Sequence, residues 1–104
     1  TKMAEGRIDF IQEGPLARIT LNQPGKLNAM TKAMWIAFAE VWERLNADDS
    51  VRCVLLTGAG EAFCPGNDIG EFETERSTAP KARALSEIMN RGRTAMLDCP
   101  HPIV

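Results

Sequence analysis

The sequence lacks any apolar run near the roughly 18 residues that a membrane span requires, and no charged-then-apolar leader opens it, which argues against a secretory signal. Cysteine is sparse and unpatterned: Cys53, Cys64 and Cys99 are odd in number and share no CxxC spacing. Such usage fits neither a disulfide framework nor a zinc site, so no metal is expected and a reducing cytoplasm is the expected compartment. Positive charge is not in excess. Twelve basic residues against fourteen acidic ones give a net charge of −2, which weighs against nucleic acid as a partner. Low-complexity stretches and internal repeats are absent. Two phosphate cradles are missing as well. Gly66 is followed by Asn67-Asp68 rather than the Lys-Ser/Thr of a P-loop, and Gly58-Ala59-Gly60-Glu61-Ala62-Phe63 supplies only the first two glycines of a dinucleotide fingerprint.

What is present is an ordinary globular composition, 44% hydrophobic and 25% charged over 104 residues. That length suits one small domain or a piece of a larger one, with a thin core. Arg7 to Gln12 alternates polar and apolar, Glu13-Gly14-Pro15 signals a turn, and Leu16 to Leu21 alternates again with Ala17, Ile19 and Leu21 on one side. Together these predict a hairpin with a loop of three or four residues. Met34, Trp35, Phe38, Val41, Trp42 and Leu45 fall at helical spacing behind a candidate N-cap, Thr31. Val51 to Thr57 is nearly continuous in apolar residues and reads as a buried strand of a mostly parallel sheet. Asp68 can cap a short helix from Ile69, and Glu73 to Ala79 reads as a polar, mobile connection. Pro80 suits the first turn of a long helix with Leu85, Ile88, Met89, Gly92, Met96 and Leu97 on its apolar face. Ile103-Val104 reads as a strand just beginning, so the expectation is a chain cut short. This order of elements predicts an α/β class.

The chemistry is expected where the buried strand runs through Gly58-Ala59-Gly60 and a loop into the helix at Ile69, since ligands in open α/β sheets bind beyond the carboxyl ends of strands. Gly66 permits a turn that a side chain would block. The N–H groups at Asn67 and beyond are donors of a helix start, suited to a negative charge or a developing oxyanion. A plain strand-to-helix connection with a glycine for its turn fits the same residues.

The segment Ala62-Phe63-Cys64-Pro65-Gly66-Asn67-Asp68-Ile69-Gly70-Glu71-Phe72 resembles the first signature of the enoyl-CoA hydratase/isomerase, or crotonase, superfamily. The upstream run Ala17 to Met30, in which Asn22-Gln23-Pro24 leads to Leu27-Asn28-Ala29, resembles that family's other early motif. The likeness covers residues 7 to 104 and implies the N-terminal part of a spiral of ββα turns: a partial domain over 1–104 that stops before the second active-site motif. It implies that the backbone N–H of Asn67, turned by Gly66, meets the thioester oxygen of an acyl-CoA. Cys64, Pro65, Gly66, Asp68 and Ile69 would line the coenzyme A pocket, with Lys26, Leu27 and Ala29 on the other wall. The implied activity is enoyl-CoA hydratase, with Δ3-Δ2-enoyl-CoA isomerase as the alternative. No cofactor is implied beyond the coenzyme A of the substrate, and the complete protein is expected to form trimers or hexamers in the cytoplasm, away from membranes. The 104-residue chain alone, without a second donor and catalytic carboxylates, is expected to be inactive.

Other residues have two readings each. His101, the only histidine, could pair with Cys64 as a nucleophile but lacks a third, orienting group. Lys26 is either a turn lysine or a contact to a CoA phosphate. Glu71 and Glu73 could act as paired carboxylates but suit a helix start better. Trp35 and Trp42 read as core or interface; Met89, Met96 and Leu97 read as core or as acyl-pocket cover. Arg91 and Arg93 are expected to be solvated.

Overall fold

The computed structural model describes residues 6–23, 25, 27–60, 63–64 and 66–104. Its elements run β1 (Arg7–Glu13), β2 (Leu16–Asn22), α1 (Lys32–Asn46), β3 (Cys53–Gly58), α2 (Ile69–Glu75) and α3 (Ala79–Leu97). The hairpin is tighter than the sequence suggested. Glu13 pairs with Leu16, leaving only Gly14-Pro15 in the loop. Gly14 takes φ 61°, and the fixed negative φ of Pro15 after it suits a type II′ turn, whose twist matches the flanking strands.

The sheet order is β1-β2-β3. It is not mostly parallel: β1 and β2 are antiparallel, whereas β2 and β3 are parallel, with Ala17 opposite Val54 and Ile19 opposite Leu56. The hairpin forces the first pairing, and the helical crossover between β2 and β3 produces the second. The other edge of β3 is also occupied. Val54 N–H donates to Pro102 O (2.8 Å), Val104 N–H to Val54 O (2.9 Å) and Leu56 N–H to Val104 O (2.9 Å). Pairing on both edges makes β3 an interior strand, though within it only Val54 is buried and the rest are half-buried or exposed. Val51, before the strand, is buried in the core.

Alternation in β2 buries Ala17, Ile19 and Leu21, and α1 covers them with Met34, Phe38, Trp42 and Leu45. Thr31 caps α1 by accepting from Met34 N–H at 3.1 Å. Trp35, Phe38 and Trp42 form an edge-to-face series along the helix, with centroids 5.7 and 5.8 Å apart. On α3 the buried positions are Leu85, Gly92 and Ala95; Leu97 is 78% exposed and does not belong to the apolar face. Gly92 brings the two helices together, since a Cβ there would lie 3.0 Å from the Trp35 ring and 3.3 Å from Phe38. Glu73, expected in a mobile connection, lies in α2 instead.

Arg91 and Arg93 are not simply solvated. Arg91 forms a forked pair with Glu43 of α1, at 2.6 and 2.9 Å, and the Arg93 guanidinium sits 5.3 Å from the Trp35 ring centroid. The Arg91 hydrogen bonds hold the Glu43 carboxyl below its ordinary 4.5. Hydrogen bonds from Asn22 to Asp9 and from Ser50 to Asp48 hold those carboxyls below 3.8. Because the folded values are depressed, these groups contribute stability above the ordinary values and lose it as pH falls through the lower folded ones. The thermal midpoint should therefore be flat from about pH 7 to about pH 5 and decline below about pH 4, with a shallower decline in Glu43→Gln. Melting curves across that range check this, and a midpoint unchanged down to about pH 3 contradicts it.

Candidate functional site

Two loops meet beyond the carboxyl ends of β2 and β3. Met30 from the first forms a parallel bridge with Asn67 from the second. Met30 N–H donates to Gly66 O and Asp68 N–H donates to Met30 O, both at 2.8 Å. In a parallel bridge the two flanking residues make both bonds, so the N–H of the middle residue points to the opposite edge. The Asn67 N–H accordingly has no hydrogen-bond partner among the described residues. Beside it Gly66 takes φ 130°, and a Cβ there would have nothing within 4 Å. The approach to this peptide is open, and its conformation is one that side chains disfavour.

The row of free donors expected at Asn67 and beyond is shorter than the sequence suggested. Asp68 is buried and gives its N–H to Met30, while its Oδ1 caps α2 by accepting from Glu71 N–H at 3.2 Å. Glu71 does not form a carboxylate pair with Glu73. Its Oε1 accepts from Lys32 N–H at the start of α1, and Glu75 holds Lys32 Nζ at 3.3 Å. Both acids fasten α2 against the N-terminus of α1, where negative charge is favoured.

Of the other predicted lining residues, Leu27 is 58% exposed and Ile69 71% exposed, while Ala29 is buried. Cys64 is half-buried against the core, with its Sγ 3.4 Å from Gly66 O. Lys26 and Pro65 lie outside the described residues. His101 does not meet Cys64. Its Nε2 lies 3.1 Å from Leu45 O, near the C-terminus of α1, whereas Cys64 lies by the other end of this 15-residue helix, about 22 Å along its axis. A shallow groove lined by Glu43, Asn46, Asn90 and Asp98 also lies toward that far end. Among the described residues no three His, Cys, Asp or Glu side chains could hold a metal, and no helix is long and apolar enough to cross a membrane.

Sequence reasoning noted Asn28 and Trp35 but missed what they do. Asn28 is fully buried at φ 68°, in the left-handed region that asparagine tolerates. Its Oδ1 accepts from Gln23 N–H at 2.9 Å, and its Nδ2 donates to Ala59 O at 2.7 Å. It ties the Met30 loop to the end of β3 and so sets where Met30 can reach Asn67. Trp35 Nε1 donates to Asn67 Oδ1 at 2.8 Å, fixing that side chain against α1. Replacing Asn28 with Ala strands buried partners and leaves a residue in the left-handed region without the side-chain hydrogen bonds that let asparagine tolerate it. The expected loss is about 2–4 kcal/mol by urea unfolding, and a loss under about 0.5 kcal/mol contradicts the clamp.

Residues 12–104 match the family described as enoyl-CoA hydratase/isomerase. A crystal structure of an enoyl-CoA hydratase/carnithine racemase from Magnetospirillum magneticum superposes with a TM-score of 0.88 at 40% identity, covering 96% of this chain and 38% of that one. The Mycobacterium tuberculosis protein EchA13, named for enoyl-CoA hydratase, is 39% identical over 74 residues, 71% of this chain and 23% of its own length. The Escherichia coli 1,2-epoxyphenylacetyl-CoA isomerase is 38% identical over 69 residues, 66% of this chain and 26% of its own length. The chain thus spans about a quarter of the length of the curated relatives it matches, and its fold superposes closely on part of a solved structure. The 104 residues belong to the enoyl-CoA hydratase/isomerase family.

Proposed function

We propose that the complete protein is an enoyl-CoA hydratase in which the Asn67 backbone N–H donates to the thioester oxygen of a 2-enoyl-CoA. The observation that carries this reading is an N–H with no partner among the described residues, beside an open glycine and held in place by backbone bonds on its other side. In hydration, water gives a proton to a base as its oxygen adds at C3, the C2–C3 double-bond pair shifts between C1 and C2 while the carbonyl pair moves onto the thioester oxygen as an enolate, and the carbonyl re-forms as an acid delivers a proton to C2. Charge on that oxygen is greatest between the two events. A donor oriented in advance therefore stabilises the transition state more than the bound substrate.

In this reading Gly66, Cys64, Asp68 and Ile69 line the thioester side of the pocket, with Leu27 and Ala29 opposite. The exposure of Leu27 and Ile69 supports contact with a bound ligand. Asp68 and Glu71 are engaged as caps. In this proposal the acid, the base and a second oxyanion donor are residues other than these two, and the 104-residue chain alone is inactive. No cofactor is needed beyond the coenzyme A of the substrate. The free thiols of Cys53, Cys64 and Cys99 support a reducing, cytoplasmic setting. Assembly as trimers or hexamers completes the proposal. A second reading, Δ3-Δ2-enoyl-CoA isomerase, draws on an isomerase-named relative whose identity nearly equals that of the hydratase-named one; it would use the same donor for the dienolate left when a proton leaves C2.

Gly66→Val tests the site. Valine is strained at φ 130°, so the 66–67 peptide must rotate away from the ligand. Turnover of crotonyl-CoA by the complete protein should fall by about 10²–10³, the cost of one oxyanion donor, while the far-ultraviolet circular dichroism is retained. Unchanged kcat and KM in a folded Gly66→Val protein would remove the pocket from this position.

A further inference from the structure

Trp35 belongs to α1, yet its one polar atom serves the loop on which the thioester reading rests. The direction of the indole is set by the helices rather than by its hydrogen-bond partner. The α3 backbone at Gly92 presses on the ring, where a Cβ would lie 3.0 Å away, Arg93 covers a face at 5.3 Å, and Phe38 packs edge-on at 5.7 Å. An indole N–H only donates. Asn67 must therefore present Oδ1 to it, as the 2.8 Å contact shows, and the rotation of the Asn67 side chain is fixed. Without that donor, an asparagine carbonyl competes for nearby backbone N–H groups, its own and those that follow. At Asn67 those are its own N–H, which has no partner among the described residues, and the opening turn of α2.

We infer that Trp35 is a positioning residue: its indole N–H engages the Asn67 side-chain carbonyl and keeps it off the Asn67 peptide N–H, so that this donor stays open to the thioester oxygen. The inference rests on the reading of Asn67 given above. It also explains why a half-buried tryptophan, rather than any aromatic of similar bulk, sits where α1, α3 and the loop converge.

Trp35→Phe keeps an aromatic ring at the junction of α1 and α3 and removes the donor together with part of the indole's bulk, so the packing loss is separated from the donor loss by a second background. In the complete protein with crotonyl-CoA it should lower kcat/KM by about tenfold, a fraction of the cost of losing a whole oxyanion donor. In an Asn67→Ala background the same substitution should cost less than about twofold, because no side-chain carbonyl remains to be restrained. A second readout needs no turnover. The Trp35 indole proton should exchange with D2O about tenfold faster in Asn67→Ala than in the parent protein, as loss of one hydrogen bond implies. Equal losses in both backgrounds, no loss in either, or equal exchange rates would each overturn the inference. Failure of the thioester reading shows separately, as full activity in Gly66→Val with the indole exchange difference intact.

Discussion

The candidate site depends on one pair of backbone hydrogen bonds. Met30 receives the N–H of Asp68 and gives its own to the carbonyl of Gly66. That bridge fixes the peptide between Gly66 and Asn67 from one side and leaves its N–H on the other. A donor held this way costs little reorganisation when charge develops in front of it, which is the basis of oxyanion stabilisation. The same bridge spends the N–H of Asp68, so the loop offers one directed donor here rather than a row.

The rest of the structure holds the two ends of that bridge. Asn28 anchors the Met30 loop to Gln23 and Ala59. Glu71 and Glu75 draw α2 onto the N-terminus of α1. Close approach of α3 at Gly92 presses the Trp35 ring, whose N–H reaches Asn67. Asp68, Glu71 and Glu75 are thus engaged in capping α2 and tying it to α1. The chain spans about a quarter of its relatives, and under the proposed function its contribution is a positioned amide.

Local chemistry made much of this legible in the sequence. The alternation in Leu16 to Leu21, the Thr31 cap, the stripe from Met34 to Leu45, the Asp68 cap and Pro80 in the first turn of α3 are all where the sequence placed them. What it obscured depends on distant partners. Arg91 and Arg93 read as solvent-facing because Glu43 and Trp35 lie some fifty residues earlier. Leu97 was assigned to a buried face on hydrophobicity, yet burial follows the spacing of Leu85, Gly92 and Ala95. The sheet seemed mostly parallel because an apolar run does not distinguish a strand's direction from its burial. The loop that carries Asn67 was visible from Gly66 and the helix start. The bridge to Met30, which decides which N–H is free, is a contact between residues 37 apart that no local pattern encodes.

The central claim is that the Asn67 peptide N–H meets the oxygen of a thioester. Titration of the 15N-labelled complete protein with butyryl-CoA, a saturated thioester that cannot be hydrated, tests it most directly. The Asn67 amide proton should move downfield as the site fills, while that of Asp68, committed to Met30, moves little. Resonances that report binding while the Asn67 amide stays in place would contradict the account.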